Sequence, residues 1–183
     1  MKSGVRILAL ACAPLKGRDT LLVGIVAKNS IIEGIVSTSV QVDGTDSTKK
    51  IISLINGTRF GEQIRLVAVN GLGIAGLNIL DVEKVQKKTG VKILSVTRNK
   101  PHPSELITAL KTFSKLEKKD VSERLLLVGK IKELNEFKEH GFYLQTSLSK
   151  ADAGKFVKQA FYFVRLAHLI ASGVATGESK GRI

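Results

Sequence analysis

The chain has 183 residues, 43% of them hydrophobic, and its 29 Lys and Arg against 16 Asp and Glu give a net charge of +13. A chain of this length can bury about 70% of its unfolded surface in one body, so disorder throughout is excluded and neither a disulfide nor a structural metal is required. The charge favours a polyanionic partner, nucleic acid first, while the single cysteine, Cys12, excludes an internal disulfide or a thiolate cluster and points to a reducing, cytoplasmic setting.

The apolar run over residues 5–13 falls short of the roughly 20 residues of a bilayer span. It reads as a buried first strand rather than the apolar stretch of a signal peptide, because strand-like sequence continues after it, and no membrane association is expected. VRILALA (5–11), TLLVGIVAK (20–28) and IIEGIVSTSVQV (31–42) are rich in β-branched residues, and the two-residue link Asn29-Ser30 suits a hairpin, so the first third is expected to form a three-strand meander. Ile51, Ile52, Leu54 and Ile55 give one apolar helical face that stops at Asn56-Gly57. IRLVAVN (64–70) is a continuous apolar strand, NGLGIAG a turn, residues 77–89 a helix closed by Gly90, and VKILSV (91–96) a second buried strand. This is a βαβ unit with parallel strands. The remainder reads as helical around one strand, FYLQTS (142–147), with long apolar helix faces at residues 106–113 and 156–171. No linker, repeat or single-sign block divides the chain, so one domain over residues 1–183 is expected. The fold class is α/β: a mixed sheet in which a three-strand meander is followed by βαβ units and C-terminal helices, the order found in ribonuclease-H-like folds.

DGTDST (43–48) joins a strand to a helix and sets Asp43 and Asp46 three residues apart at a sheet edge, where carboxylates suit Mg²⁺; the same residues can also cap the helix and form the turn. Asp81, opening the next helix, carries the same two readings. Gly71, Gly73 and Gly76 form a G-x-G-x-x-G after a strand, a dinucleotide-binding pattern. It comes after three other strands, however, and Arg98 stands where the ribose-binding acid is expected, so a tight structural turn is preferred and no organic cofactor is assigned. The basic loop TRNKPHPSE (97–105) offers Arg98, Lys100 and His102 to phosphates, and the polar tail GESKGR (177–182) offers Lys180 and Arg182. His168 reads as a hydrogen-bonded, partly buried histidine and Cys12 as a small buried hydrophobe.

Residues 31–48, 69–101 and 164–182 together resemble the archaeal endonuclease dU family. The most specific pieces are Glu33-Gly34, the Asp43 to Thr48 string, the Gly-x-Asn-x-x-Asp stretch from Gly76 to Asp81, and Arg165, Ala167 and His168 with the closing Gly177 to Arg182. Members are similar to endonuclease V in a ribonuclease-H-like core. The resemblance implies a metal-dependent DNA endonuclease acting on deoxyuridine, the product of cytosine deamination, and thus a DNA-repair hydrolase. It implies Mg²⁺ or Mn²⁺ as cofactor and Asp43, Asp46, Glu33 and Asp81 as catalytic candidates, with Asp43, Asp46 and Asp81 as metal ligands. Arg98, Lys100, Lys180 and Arg182 are the candidate DNA contacts, and no obligate protein partner is expected. Two departures from the family pattern keep an alternative beside this reading, a catalytically impaired nucleic-acid-binding relative with the same fold. The usual Asp-Asp pair at the end of the first strand is replaced by Ala11-Cys12, and Asn70 ends the fourth strand where an acid is common.

Overall fold

A computed structural model describes residues 4–179. Its elements in chain order are β1 (Arg6–Cys12), β2 (Asp19–Lys28), β3 (Ile31–Gln41), α1 (Ser47–Gly57), β4 (Ile64–Val69), β5 (Gly73–Ala75), β6 (Asn78–Ile79), α2 (Val82–Thr89), β7 (Lys92–Thr97), α3 (Pro103–Glu117), α4 (Ser122–Ile131), β8 (Asn135–Glu139), β9 (Phe142–Thr146) and α5 (Lys150–Thr176). Seven strands form one mixed sheet in the order β3-β2-β1-β4-β7-β9-β8, and β5-β6 is a separate small ribbon.

The expected meander is present: β1 pairs antiparallel with β2, and β2 with β3. The chain then crosses to the other side of β1, where β4 and β7 pair in parallel, as the βαβ reading requires. Because the chain reverses direction of growth at β1, the C-terminal ends of β1, β4 and β7 meet at one edge, the place where open α/β sheets leave a crevice.

Both sheet faces are covered, which is why these strands read as near-continuous apolar runs. Side-chain alternation sends Leu8 and Leu10 of β1 toward Ile51 and Ile55 of α1, Val85 of α2 and Leu110 of α3. Ile7, Ala9 and Ala11 point the other way, against Phe156, Ala160, Phe163, Val164 and Ala167 of α5. The small residues of β1 let this long helix lie close to the sheet, and each large side chain buried there contributes about 1.5–3 kcal/mol.

Two elements differ from expectation. The helix read over residues 77–89 begins at Val82, because Asn78 and Ile79 form β6 and Asp81 is the N-cap, its side chain accepting from Lys84 N. A strand, β8, was absent from the expected pattern: NEFKE has one inward apolar residue, Phe137, and its partner β9 supplies the rest of the hairpin through a His140-Gly141 turn in which both residues have positive φ.

Candidate nucleic-acid interface

Two clefts open along the C-terminal edge and meet at Asn70 and Gly73. The first, about 350 Å³, is walled by Ala11 and Cys12 at the end of β1, by Leu15 and Ile74, and by His168 of α5. The second, about 390 Å³, is walled by Thr97 at the end of β7, by Arg98, Lys100 and His102 after it, by Gln145 of β9 and by Phe161 of α5. Arg98 and Lys100 are exposed. The Arg98 guanidinium lies 5.1 Å from the centroid of the Phe161 ring, and Phe161 in turn lies 4.3 Å from Phe142. This cleft therefore sets cations beside aromatic rings.

The aspartates of the β3–α1 turn sit beside this edge but are committed to the backbone. Asp43 adopts positive φ (53°); its N–H donates to Ala75 O at 2.9 Å and its Oδ1 accepts from Leu77 N at 2.7 Å. Gly76 precedes that amide with φ of 69°, and a Cβ built there would fall 2.2 Å from Asp43 Oδ1, so only glycine admits the carboxylate. Asp46 Oδ1 accepts from Gln41 N at 3.1 Å and from Asn78 Nδ2 at 2.8 Å. Asn78, fully buried, also donates to Gln41 O at 2.8 Å and accepts from Ser47 N at 3.1 Å. Asp81 joins the same assembly through its N–H, which donates to Thr48 Oγ1 at 2.9 Å.

The fold thus brings Asp43, Asp46 and Asp81 to one set of loops, where they tie the β5-β6 ribbon to the start of α1. Glu33 is not among them. It forms an ion pair with Arg6 at the beginning of β1, with Nε–Oε2 2.5 Å and Nη2–Oε1 3.0 Å. Because β3 is an extended strand, roughly 30 Å of backbone separates Glu33 from Asp43 and puts it at the opposite sheet edge. Lys180 and Arg182 lie outside the described residues. The glycine string does not open onto a helix either: β5 and β6 intervene, and the Leu77 amide, which a phosphate would need, is taken by Asp43.

A divalent cation needs several oxygen ligands at the strand ends. Ala11 offers none and Asn70 only an amide oxygen, while burial pushes the Cys12 thiol up to about 12, leaving it protonated. Among the described residues no group of three His, Cys, Asp or Glu side chains is placed to hold a metal ion. The residues present do not fit the Mg²⁺ or Mn²⁺ centre that the family resemblance implies.

The roles of three residues escaped sequence reading, Asn78 among them although it stands in the Gly76 to Asp81 stretch. Arg124 of α4, only 4% exposed, donates Nη1 to Asp43 O at 2.8 Å and lies over the Phe113 ring at 4.8 Å, so it clamps the turn from beneath. Burial lowers its pKa, opposed by the charges of Asp43 and Asp120. Asn78 lay hidden inside the helix expected there, and Gln145 in an apolar strand. His168, read as a hydrogen-bonded histidine, places Nδ1 2.9 Å from Cys12 O. A carbonyl only accepts, so Nδ1 carries the proton and Nε2 faces Ser172 Oγ at 3.4 Å.

A three-strand antiparallel meander continued by parallel strands, with helices on both faces and its crevice at the β1/β4 ends, defines a ribonuclease-H-like protein. The crystal structure of human ENDOV shares that fold, with a TM-score of 0.52 over 89% of this chain and 84% of that one at 12% identity. The sequence model of the endonuclease dU family matches residues 3–175, and the chain belongs to that family. A crystal structure of an Archaeoglobus fulgidus protein is more similar, with a TM-score of 0.83, 27% identity, and 93% and 98% of the two chains covered. The UPF0215 protein of Methanothermobacter thermautotrophicus is 34% identical over 99% of this chain and 93% of its own. That of Thermococcus sibiricus is 37% identical over 91% and 87%. No helix among the described residues is long and apolar enough to cross a membrane.

Proposed function

We propose that this protein binds DNA, deoxyuridine-containing DNA in keeping with its family, along the C-terminal edge of β1, β4 and β7, and that it does so without a metal-dependent cutting centre of its own. The observation that carries the reading is the composition of that edge: Ala11, Cys12 and Asn70 occupy the strand ends, while the cations Arg98 and Lys100 remain exposed above a cleft of about 390 Å³. A net charge of +13 supplies the attraction. Arg98 and Lys100 neutralise phosphates, and Asp43, Asp46 and Asp81 shape the loops instead of gripping a cation.

Family membership keeps a second reading in play, cleavage of the same DNA using Mg²⁺ or Mn²⁺ with Asp43 and Asp46. One experiment separates the two. A labelled deoxyuridine oligonucleotide is titrated by fluorescence anisotropy at several salt concentrations, with and without each metal, and then run on a denaturing gel. The expected result is binding that weakens with salt, with a log–log slope of about −0.7 to −0.9 per phosphate neutralised, and an intact oligonucleotide. Metal-dependent cleavage, abolished in an Asp43→Asn, Asp46→Asn variant that still folds by circular dichroism, reverses the proposal in favour of the nuclease. Absence of binding defeats both.

A further inference from the structure

We propose that the open edge of β3 is a self-association surface, on which the same strand of a second copy pairs antiparallel about a two-fold axis at Ser37.

The backbone carries the first part of the argument. β3 ends the seven-strand sheet, with β2 as its one neighbour. Val42 N donates across that pair to Arg18 O, and main-chain direction alternates along a strand, so Val36, Thr38 and Val40 also turn their groups toward β2. Ile35, Ser37, Ser39 and Gln41 therefore turn theirs outward. Gln41 is already satisfied, its N–H by Asp46 Oδ1 and its carbonyl by Asn78 Nδ2. Among the described residues no hydrogen bond closes the N–H or C=O of Ile35, Ser37 or Ser39 from that side. Such a row of unpaired groups is a template for another strand.

The side chains select a second copy as the occupant. Sheet edges are ordinarily blunted by shortness, charge or proline. The opposite edge follows that rule, since β8 has 5 residues and Glu136, Lys138 and Glu139 are among them. β3 has 11 residues, without lysine, arginine or proline, and its single charge, Glu33, is neutralised by Arg6. Two copies of a chain of net charge +13 repel wherever cationic surfaces approach, so a strip without net charge is where they can meet. The strip also has apolar surface to cover. The cluster under α5 takes in Val23, Ile25 and Ala27 of β2 but no residue of β3, and Ile35, opposite Ile25 in the register, is left 56% exposed.

An antiparallel strand pair is self-complementary under a two-fold axis, as a closed dimer requires. With Ser37 opposite Ser37 of the second copy, Ile35 faces Ser39 and Ser39 faces Ile35. Every outward N–H then meets a C=O, and the ladder stops at Gln41, whose groups are taken. The overlap, residues 33–41, is roughly 30 Å long and about 10 Å deep, or roughly 600 Å² over both copies. Stable complexes bury about 1,200 Å² or more, so this dimer exchanges, with a dissociation constant on the order of 10 µM. The axis reverses strand direction, so the C-terminal sheet edges of the two copies face opposite ways. β3 lines neither of the two clefts at that edge, and both stay open.

The test is sedimentation equilibrium of the full chain up to about 200 µM, in low and high salt. The expected result is a monomer–dimer equilibrium that tightens with salt, because screening relieves the repulsion between like-charged copies. Ile35→Lys sets two cations into the strip and is expected to weaken the dimer about fivefold or more. Its circular dichroism and urea midpoint stay those of the wild type, because the replaced side chain is largely in solvent. Ser37→Cys brings two Cα atoms to about 5.5 Å, within disulfide reach, and is expected to give a covalent dimer with oxidised glutathione. Ser39→Cys, whose copies lie roughly 13 Å apart along the strands, and the wild type with Cys12 alone are expected to give none. A monomer throughout the range, a dimer that salt dissociates or Ile35→Lys leaves intact, or cross-linking of Ser39→Cys as readily as Ser37→Cys overturns the proposal.

Discussion

Replacement of Asn78 by alanine is the most direct probe of whether the loop assembly beside the clefts is held as described. The side chain is fully buried and makes three hydrogen bonds, to Gln41 O, to Asp46 Oδ1 and from Ser47 N. Truncation leaves the buried Ser47 N–H and the Gln41 carbonyl without their side-chain partner and removes a donor from a carboxylate. At about 1–3 kcal/mol for each buried group left unmatched, with partial rescue by water at the half-buried turn, the expected loss is about 3–5 kcal/mol. That is a large share of the ~5–15 kcal/mol net stability of a typical domain. Urea unfolding followed by far-UV circular dichroism reads it as a midpoint lowered by about 1.5–2.5 M, for an m-value near 2 kcal/mol/M that does not change. Asn78→Asp, which turns both donors into acceptors facing Asp46 and Gln41 O, is expected to be no better than alanine. A loss under about 1 kcal/mol for Asn78→Ala would refute the claim that this amide organises the turn.

Other consequences are equally specific. Gly76→Ala forces a Cβ onto Asp43 Oδ1 at a positive-φ position and is expected to destabilise by about 2–4 kcal/mol in the same assay; a neutral result means the carboxylate does not approach the Leu77 amide as found. Cys12, its thiol pushed up to about 12 by burial, is expected to resist Ellman's reagent at pH 8 until denaturant is added. Rapid reaction of the folded protein contradicts the suppression of its thiolate, since Cys12 itself is only half-buried in the wall of the first cleft. Asp152, in the first turn of α5, is drawn down to about 2, first by its hydrogen bond from Lys155. Its folded-state value lies below the unfolded one, so its contribution to the helix start is present above about pH 4 and lost as pH falls toward 2. An NMR titration of its carboxyl carbon with a midpoint near the ordinary 3.8 is the contrary outcome.

How much of this was legible in the sequence depended on whether a residue's role was local or remote. The meander and the βαβ unit were readable because β-branched runs broken by Asn29-Ser30 and by Gly90 carry their own signals, and α1 ended where Asn56-Gly57 marked it. The start of α2 was misplaced because Leu77, Ile79 and Leu80 mimic a helical apolar face, while the residue that decides otherwise, Asn78, is committed to partners more than 30 positions away. For the same reason β8 was invisible: a short, charged segment becomes a strand only when β9 pairs with it. DGTDST drew attention to a loop beside the clefts, yet carboxylates three residues apart look the same in sequence whether they bind a cation or backbone amides. Glu33 was grouped with them through family resemblance alone, and strand direction carried it to the far edge. Arg124 could not be foreseen, since nothing in SERLLLVGKI announces an arginine that points into the protein.

The hydrogen bond between His168 and the Cys12 carbonyl spans 156 positions and fastens α5 to the end of β1. That closure has a bearing on how the molecule is made. The Ile7, Ala9 and Ala11 face of β1 has α5 as its cover, so during synthesis this oily surface stays bare until nearly all of the described chain has left the ribosome. Assembly must await a very distant partner, which slows folding and prolongs the interval in which nascent chains can stick to one another. Shortening α5 from its C-terminal side is therefore more damaging to solubility during expression than an equal cut in a surface loop.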